Sequence, residues 1–463
     1  LFAPEPVHIG NEMGEALRVA VVGAGPAGFF LVEKLLGQTG CPVSVDLYER
    51  LPTPYGLVRF GVAPDHEKIK LVTRSFDKVA GRTGFRYFGN VEVGTQISLA
   101  ELRQYYHAVA FTTGAQTDRR MEIPGEDLHG SHPATELVAW YNGHPDFRDR
   151  TFDLGVERVA VVGVGNVAVD VARILCRGCD ELATTDIADH ALEALRGSRV
   201  REVILLGRRG PVQAAFTAPE VKELGELAEA DPWVLPHEVA LDPLSAAQLE
   251  REDDAANRRK VEVLQSFATR PPSGKPRRLS IRFLVSPTAL IDDGTGRVGG
   301  IRLVTNRLRE KGDSVAAEPT GDTEELPVGL VFRSVGYKGV PIPGLPFDER
   351  SGTVPNIAGR VAVPGVYVAG WIKRGPSGVI GTNKPDAAET AEQILADFAT
   401  GLLTPPPATA GDLVEAILRI RQPDLVTWPD WLKINEREVA VGKATGRPRC
   451  KLTTIDEMMA ATR

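Results

Sequence analysis

Val19-Ala-Val-Val-Gly-Ala-Gly-Pro-Ala-Gly28 returns later in the chain as Val159-Ala-Val-Val-Gly-Val-Gly-Asn-Val-Ala168. Each copy is a short β-branched apolar run, a glycine turn, and then a stretch of helical length with apolar periodicity, Ala27 to Leu36 and Val167 to Cys176. That is the strand-turn-helix opening of a βαβ unit. Two copies exclude a solenoid and leave two separate nucleotide-binding folds.

Working outward, further strand candidates are Val43 to Tyr48, Ala108 to Thr112, Val203 to Leu206, Leu279 to Val285, Leu330 to Val335 and Gly365 to Val368. They alternate with helical stretches, as an α/β sheet requires. A polar helical insertion is expected at about Cys179 to Arg199, and a single polar helix at about Ala246 to Ala268. The Arg270-Pro-Pro-Ser-Gly-Lys-Pro276 loop follows it, and a helix holding Trp428 and Trp431 as packing residues closes the chain.

With 463 residues, 43% of them hydrophobic, the chain can fill two or three cores without disulfides or metals. A net charge of −7 argues against wholesale binding to nucleic acid or anionic membrane. Cys41, Cys176, Cys179 and Cys450 form no disulfide framework, so a reducing, cytoplasmic setting is expected. No apolar run reaches the roughly 18 residues of a spanning helix. Residues 1–16 hold three Glu and no Arg, unlike a transit peptide, and are expected to be a disordered leader.

In the first loop Gly23, Gly25 and Gly28 supply a tight turn, a close backbone approach to a pyrophosphate and room for helix against strand. The helix N-terminus favours the phosphate charge. The second strand candidate ends in Tyr48-Glu49-Arg50, which places the Glu49 carboxylate where it can accept from an adenosine ribose. An unphosphorylated adenosine, in NAD or FAD, is implied. Ala110-Phe-Thr-Thr-Gly-Ala115, with its Gly114, and Gly365-Val-Tyr-Val-Ala-Gly-Trp371 resemble the segments that hold FAD in flavoproteins with two dinucleotide folds. Trp371 stands where many of those have Asp.

The second loop, Gly163-x-Gly165-Asn166-Val167-Ala168, has a different partner: Val203-Ile-Leu-Leu206 runs into Gly207-Arg208-Arg209 with no acid at the ribose position. Guanidinium groups can pair bidentately with a 2′-phosphate that a carboxylate would repel, so NADP is expected there.

The segment Pro52-Thr-Pro-Tyr-Gly-Leu-Val-Arg-Phe-Gly-Val-Ala-Pro-Asp-His-Glu-Lys-Ile-Lys70 closely resembles the adrenodoxin reductase family of NADPH-dependent ferredoxin reductases. Phe88-Gly-Asn-Val-Glu-Val93, Gly207-Arg-Arg-Gly-Pro211, Phe216-Thr-x-x-Glu220 and the run from Gly370-Trp-Ile-Lys to Thr382-Asn383 extend the likeness, and Trp371 belongs to it. The resemblance implies a glutathione reductase-like α/β architecture with two Rossmann-like domains. An FAD domain, residues 17–117 and 335–463, is split around an NADP domain at 118–334. By position, Ala27, Glu49, Leu57, Val93, Trp371 and Gly378, Val379 and Ile380 are expected at the flavin nucleotide, and Gly165 to Ala168, Arg208, Arg209, Glu220 and Gly378 at NADP.

His66 and Glu223 match polar residues near the isoalloxazine in that family, with proton supply or hydrogen-bonded orientation as the reading for His66 and orientation for Glu223. The implied activity is hydride transfer from NADPH to flavin N5, then two one-electron steps to a ferredoxin-type iron-sulfur protein that feeds a cytochrome P450 or another acceptor. No cluster or metal site of the chain's own is expected. Ferredoxins are acidic, so Arg258, Arg259 and Lys260, or Lys275 to Arg278, are docking candidates. The oligomeric state is not set by the sequence, a monomer being favoured. Cys176-Arg-Gly-Cys179 invites a thioredoxin reductase reading, but the pair follows the second glycine loop where low-molecular-weight thioredoxin reductases have it before, so buried thiols are expected. The two folds would also serve a flavin monooxygenase, against which the Pro52 to Lys70 motif speaks, or a flavoprotein without turnover.

Overall fold

In a computed structural model the described residues are 16–312, 314–407 and 411–463, so nearly all of the leader expected at 1–16 lies outside them. Two sheets carry the architecture. The first has seven strands in the order Asn356–Ile357, Arg360–Val361, Val366–Val368, Ala108–Phe111, Leu17–Val22, Val43–Tyr48 and Phe85–Phe88. Its last five are parallel, with Val19 opposite Ala108 and Val22 opposite Tyr48. The second has six parallel strands in the order Ser131–Pro133, Leu330–Arg333, Arg158–Val162, Glu202–Leu206, Arg277–Arg282 and Ala230–Val234.

The central strands are apolar throughout because both faces of each sheet are covered. On one face of the first sheet, helix Pro26–Gly37 and helix Asn383–Ala399 bury Phe29, Leu31 and Ile394, joined by Trp431 from helix Trp428–Ala444. The other face holds Phe88, Ile97, Val109 and Leu418. The second sheet buries helix Asn166–Cys176 on one side. On its other side lies an antiparallel three-stranded meander, Val285–Asp292, Val298–Lys311 and Ser314–Leu326, whose Ile301 and Leu303 meet Ile204 and Val331. The chain passes between the sheets along a two-strand ribbon, Tyr337 opposite Asp118 and Lys338 opposite Thr117.

The structure departs from the sequence reading at three places. The single helix expected at Ala246 to Ala268 is two, Pro243–Glu252 and Ala255–Thr269. Asp253 turns left-handed, φ +45°, and Asp254 caps the second helix by accepting from the Ala256 and Asn257 amides. The strand expected from Leu279 to Val285 ends at Arg282, because Leu284 at φ +56° turns the chain into the meander. The insertion at Cys179 to Arg199 is two short helices, Cys179–Leu182 and Asp189–Arg196. Among the described residues no helix is long and apolar enough to cross a membrane.

Candidate functional site

Both glycine loops lie where a central strand of each sheet hands over to a helix. Gly23 has φ +108°, and a Cβ there would sit 2.8 Å from the Thr112 carbonyl oxygen. A Cβ on Gly28 would collide with the Gly23 carbonyl oxygen. Both positions therefore need glycine for packing. Gly25 is different: it caps helix Pro26–Gly37 with no side-chain cap, and nothing lies within 4 Å of where its Cβ would be. Helix N–H groups with open space before them form a cradle for phosphate.

Glu49 stands beside this loop. Its Oε2 accepts from the Ala24 amide at 2.9 Å and its Oε1 from the Leu51 amide at 3.2 Å. The acid thus shapes the loop. Burial pushes its pKa up despite these two bonds. The Val91 amide donates to Glu49 O, which brings the loop holding Val93 alongside. Arg50 pairs with Asp146 at 2.7 Å, so its charge is already engaged at the rim.

Gly114 follows the strand next to Leu17–Val22 and is also open. The neighbouring Thr113 Oγ1 is buried without a hydrogen-bond partner among the described residues. From the far end of the chain, Gly370 comes so close to Ala27 that a Cβ on it would lie 2.6 Å from the Ala27 Cβ. This brings Trp371 to the same loop; its indole donates to the Ser377 carbonyl just before Gly378, and Ile380 packs against the core that holds Ala24 and Phe29. Leu57 and Val379 are 44% and 58% exposed, apolar surfaces beside the cradle that a planar ring system could cover.

The second loop repeats the plan. A Cβ on Gly163 would collide with the Ser334 carbonyl oxygen, whereas Gly165 is open and caps helix Asn166–Cys176. Val167 follows Asn166 in the first turn of that helix, Ala168 is buried on it, and Asn166 Oδ1 is a buried acceptor with no partner among the described residues. The Ala215 and Phe216 amides donate to Val164 O, drawing the segment ahead of helix Ala218–Leu224 onto the loop. Glu220 is committed to a capping box: the Thr217 amide and hydroxyl donate to its Oε2 at 3.0 and 3.1 Å. Arg208 is exposed, and Arg209 donates only to the Val315 and Gln213 carbonyls, at 3.3 and 3.4 Å. Among the described residues neither has a carboxylate partner. Burial and the Arg208 charge hold the Arg209 pKa down.

His66 and Glu223 meet across the two units. Nε2 of His66 lies 2.9 Å from Oε2 of Glu223 on helix Ala218–Leu224. Around them is a cluster that sequence reasoning did not single out. Arg173, fully buried, donates to Asp65 at 2.6 and 3.0 Å and to Asp170 at 2.7 Å, and Arg177 pairs with Asp65 at 2.9 Å. Burial alone would raise the Asp65 pKa, but the hydrogen bonds and charge of Arg173 outweigh it and hold the carboxyl below its usual range. For Asp170 burial wins and the pKa is raised.

The Pro52 to Lys70 segment is the joint of the molecule. Arg59 forms a buried bidentate pair with Glu438, and Arg449 reaches the same carboxylate at 3.1 Å. Lys70 and Lys451 both grip Asp186, at 2.6 and 3.1 Å. The residues were in view in the motif, but their partners lie up to 379 positions away and no local pattern marks them.

The docking expectation needs correction at Lys260, and the expectation of a buried thiol holds at Cys176. Lys260 is 6% exposed and donates to the Val212 and Ala214 carbonyls, so it is part of the packing under its helix and unavailable for docking. Cys176 is fully buried, and burial pushes its thiol pKa up to about 12, so it is no thiolate nucleophile.

The profile of the pyridine nucleotide-disulphide oxidoreductase family matches residues 17–206. Over 455 residues the sequence is 47% identical to NADPH-ferredoxin reductase FprA of Mycobacterium tuberculosis, covering 95% of this chain and 98% of that one. It is 42% identical over 470 residues to the mitochondrial NADPH:adrenodoxin oxidoreductase of Homo sapiens, covering 98% and 94%. The solved structure of Mycobacterium tuberculosis FprA in complex with NADPH superposes with a TM-score of 0.92 at 45% identity, covering 97% of this chain and all of that one.

Proposed function

Because the chain belongs to the family of NADPH-ferredoxin and NADPH:adrenodoxin reductases, we propose that it is an FAD-dependent NADPH:ferredoxin oxidoreductase. It draws a hydride from NADPH and passes the two electrons singly to an iron-sulfur protein that serves a cytochrome P450 or another acceptor. The observation that carries this reading is the contrast between the two cradles: Glu49 backs the first, and Arg208 and Arg209, with no carboxylate partner among the described residues, edge the second. Bound FAD supplies the conversion of two-electron into one-electron chemistry.

The division of labour follows the sheets. Residues 17–117 and 335–463 form the FAD domain and 118–334 the NADP domain. Gly23, Gly25, Ala27, Gly28, Glu49, Arg50, Leu57, Val93, Gly114, Trp371, Gly378, Val379 and Ile380 hold FAD. Gly165, Asn166, Val167, Ala168, Arg208, Arg209, Glu220 and Gly378 hold NADPH. The open Gly25, Gly114 and Gly165 positions and the unpartnered Thr113 Oγ1 and Asn166 Oδ1 fit that occupancy. His66 and Glu223 bridge the domains beside the two cradles and orient the reacting rings, a geometric task that dominates hydride transfer.

A ferredoxin must come near the flavin, which discriminates between the two basic candidates. Lys275 to Arg278 sit at the start of strand Arg277–Arg282, and the start of a parallel strand faces away from the nucleotide end of its sheet. Arg258 and Arg259 lie in the first turns of helix Ala255–Thr269, whose Lys260 holds the segment just after Arg208 and Arg209. Arg258 and Arg259, both exposed, remain as the docking residues we propose, on charge complementarity with an acidic partner, and Lys260 is left out. Four free cysteines support a reducing, cytoplasmic setting.

The test is anaerobic titration of the holoprotein with NADPH and with NADH, followed by stopped-flow mixing with a [2Fe–2S] ferredoxin. The reading expects stoichiometric bleaching by NADPH, a far weaker response to NADH, and single-electron reoxidation by the ferredoxin. A flavin that NADPH leaves oxidised would sink it.

A further inference from the structure

We propose that Arg173 is a positioning residue for hydride transfer, which it serves by locking the NADP-binding helix to the loop that carries His66. Arg173 is on helix Asn166–Cys176, whose first N–H groups form the second phosphate cradle. Its guanidinium leaves its own unit and takes Asp65, the residue next to His66, in a two-pronged bond of 2.6 and 3.0 Å. Asp170, one turn back on the same helix, fixes the third direction at 2.7 Å.

The remaining edge of the fork faces the bridging pair. Nη2 is 3.4 Å from His66 Nδ1, and Nη1, which has no hydrogen-bond partner among the described residues, is 3.9 Å from Glu223 Oε2. One side chain therefore touches the helix that delivers the nicotinamide nucleotide, the loop that delivers His66, and both members of the contact between them.

Stability alone is a poor account of this cluster. Desolvating several charges is costly, and a buried ion network is often no more stabilising than apolar packing of the same volume. What a planar fork with several fixed donors does supply is direction. Hydride transfer needs reacting atoms about 3–3.5 Å apart, and small misplacements are expensive in rate. NADPH affinity is set separately, by the glycine loop and by Arg208 and Arg209, which move with the NADP domain as a unit. A loosened fork therefore changes where the nicotinamide arrives and leaves how tightly the nucleotide binds.

The inference rests on the hydride-transfer reading. Its test is the rate constant for flavin reduction at saturating NADPH, together with the NADPH Kd, in wild type, Arg173→Gln, Arg173→Lys and Asp65→Asn. FAD content is measured in each. The expected result is a rate constant lowered by about tenfold or more in Arg173→Gln and Asp65→Asn, with Kd within about twofold of wild type. Arg173→Lys, which keeps the charge without the fork, should recover only part of the loss. Wild-type rates in FAD-loaded Arg173→Gln or Asp65→Asn would overturn the proposal, as would a loss explained wholly by Kd. Failure of all three variants to retain FAD would also overturn it, by showing a folding role. Should NADPH fail to reduce the wild-type flavin, the proposed activity itself falls. Normal wild-type reduction beside unaffected variants removes only the role of Arg173.

Discussion

The indole of Trp371 lies stacked on the ring of Tyr337, centroids 5.6 Å apart and planes 23° from parallel. Tyr337 belongs to the ribbon by which the chain returns from the second sheet, and Trp371 follows the strand that completes the first. The stack fastens the crossing to the flavin side of the molecule. Such pairs contribute about 0.5–1.5 kcal/mol beyond area burial. A double-mutant cycle of Tyr337→Leu and Trp371→Leu, read by denaturant unfolding of the holoprotein, should give a coupling energy of about 1 kcal/mol. A value near zero would show that the rings are neighbours without interacting.

On the proposed reading, replacing Arg208 and Arg209 by Ala removes charged hydrogen bonds to a 2′-phosphate, worth about 1.5–3 kcal/mol each. Either substitution should raise the NADPH KM by about 10- to 100-fold and leave the NADH KM nearly unchanged. Steady-state kinetics with both nucleotides measures the ratio, and parallel losses for the two would mean that the arginines do not read the phosphate.

The glycines of the first loop should divide into two kinds. Gly28→Ala forces a Cβ into the Gly23 carbonyl and should destabilise the protein by about 1–3 kcal/mol or prevent folding. Gly25→Ala meets nothing in the chain and should fold, yet lose FAD during purification, because the added methyl enters the phosphate cradle. Melting curves with and without added FAD separate the two effects.

Asp118 on the ribbon has its pKa raised by burial to about 6, against an ordinary value of 3.8, with Thr135 and Arg333 opposing the shift. Between those two values the unfolded chain has released the proton that the folded protein keeps. Stability from this group is therefore complete below about pH 3.8 and is lost as pH rises through about 6. Asp118→Asn removes that loss. Its stability relative to wild type should climb across this window and level off above it, as followed by urea unfolding at a series of pH values.

Cys176→Ser and Cys179→Ser together should leave NADPH-dependent flavin reduction unaffected, since the Cys176 thiol is buried and fully protonated near neutral pH. Burying a hydroxyl at Cys176 should cost about 1–3 kcal/mol of stability. Loss of activity with unchanged melting would revive a dithiol mechanism.

The parts of this molecule that were readable in sequence are those whose chemistry is local. Gly23 and Gly163 must turn where a strand meets a helix, and the residues after each second strand, Glu49 against Arg208 and Arg209, are opposite in charge at the matching place. The break at Asp253 was also within reach, since tandem Asp before an apolar-periodic run is a capping signal. The alternation of Ile301 and Leu303 with Arg302 marked a strand of the meander that was not anticipated. What could not be read are the long-range ion clusters. Asp65, Arg59 and Lys70 look like solvated charges until Arg173, Glu438 and Asp186 are placed against them. Lys260 looked like a surface cation for the same reason.

The first sheet places strand Leu17–Val22 between neighbours from the opening of the chain, but its core also needs Tyr367, Ile394, Trp431 and Met458. A ribosome delivers those long after the opening strands. The second sheet, drawn entirely from residues 131 to 333, has all its strands in hand while more than a hundred residues remain to be made. Synthesis therefore imposes an order on assembly. The NADP half can close first and stand as a template, while the early Rossmann segment waits, with its apolar strands exposed to chaperones, for the C-terminal helices that complete it.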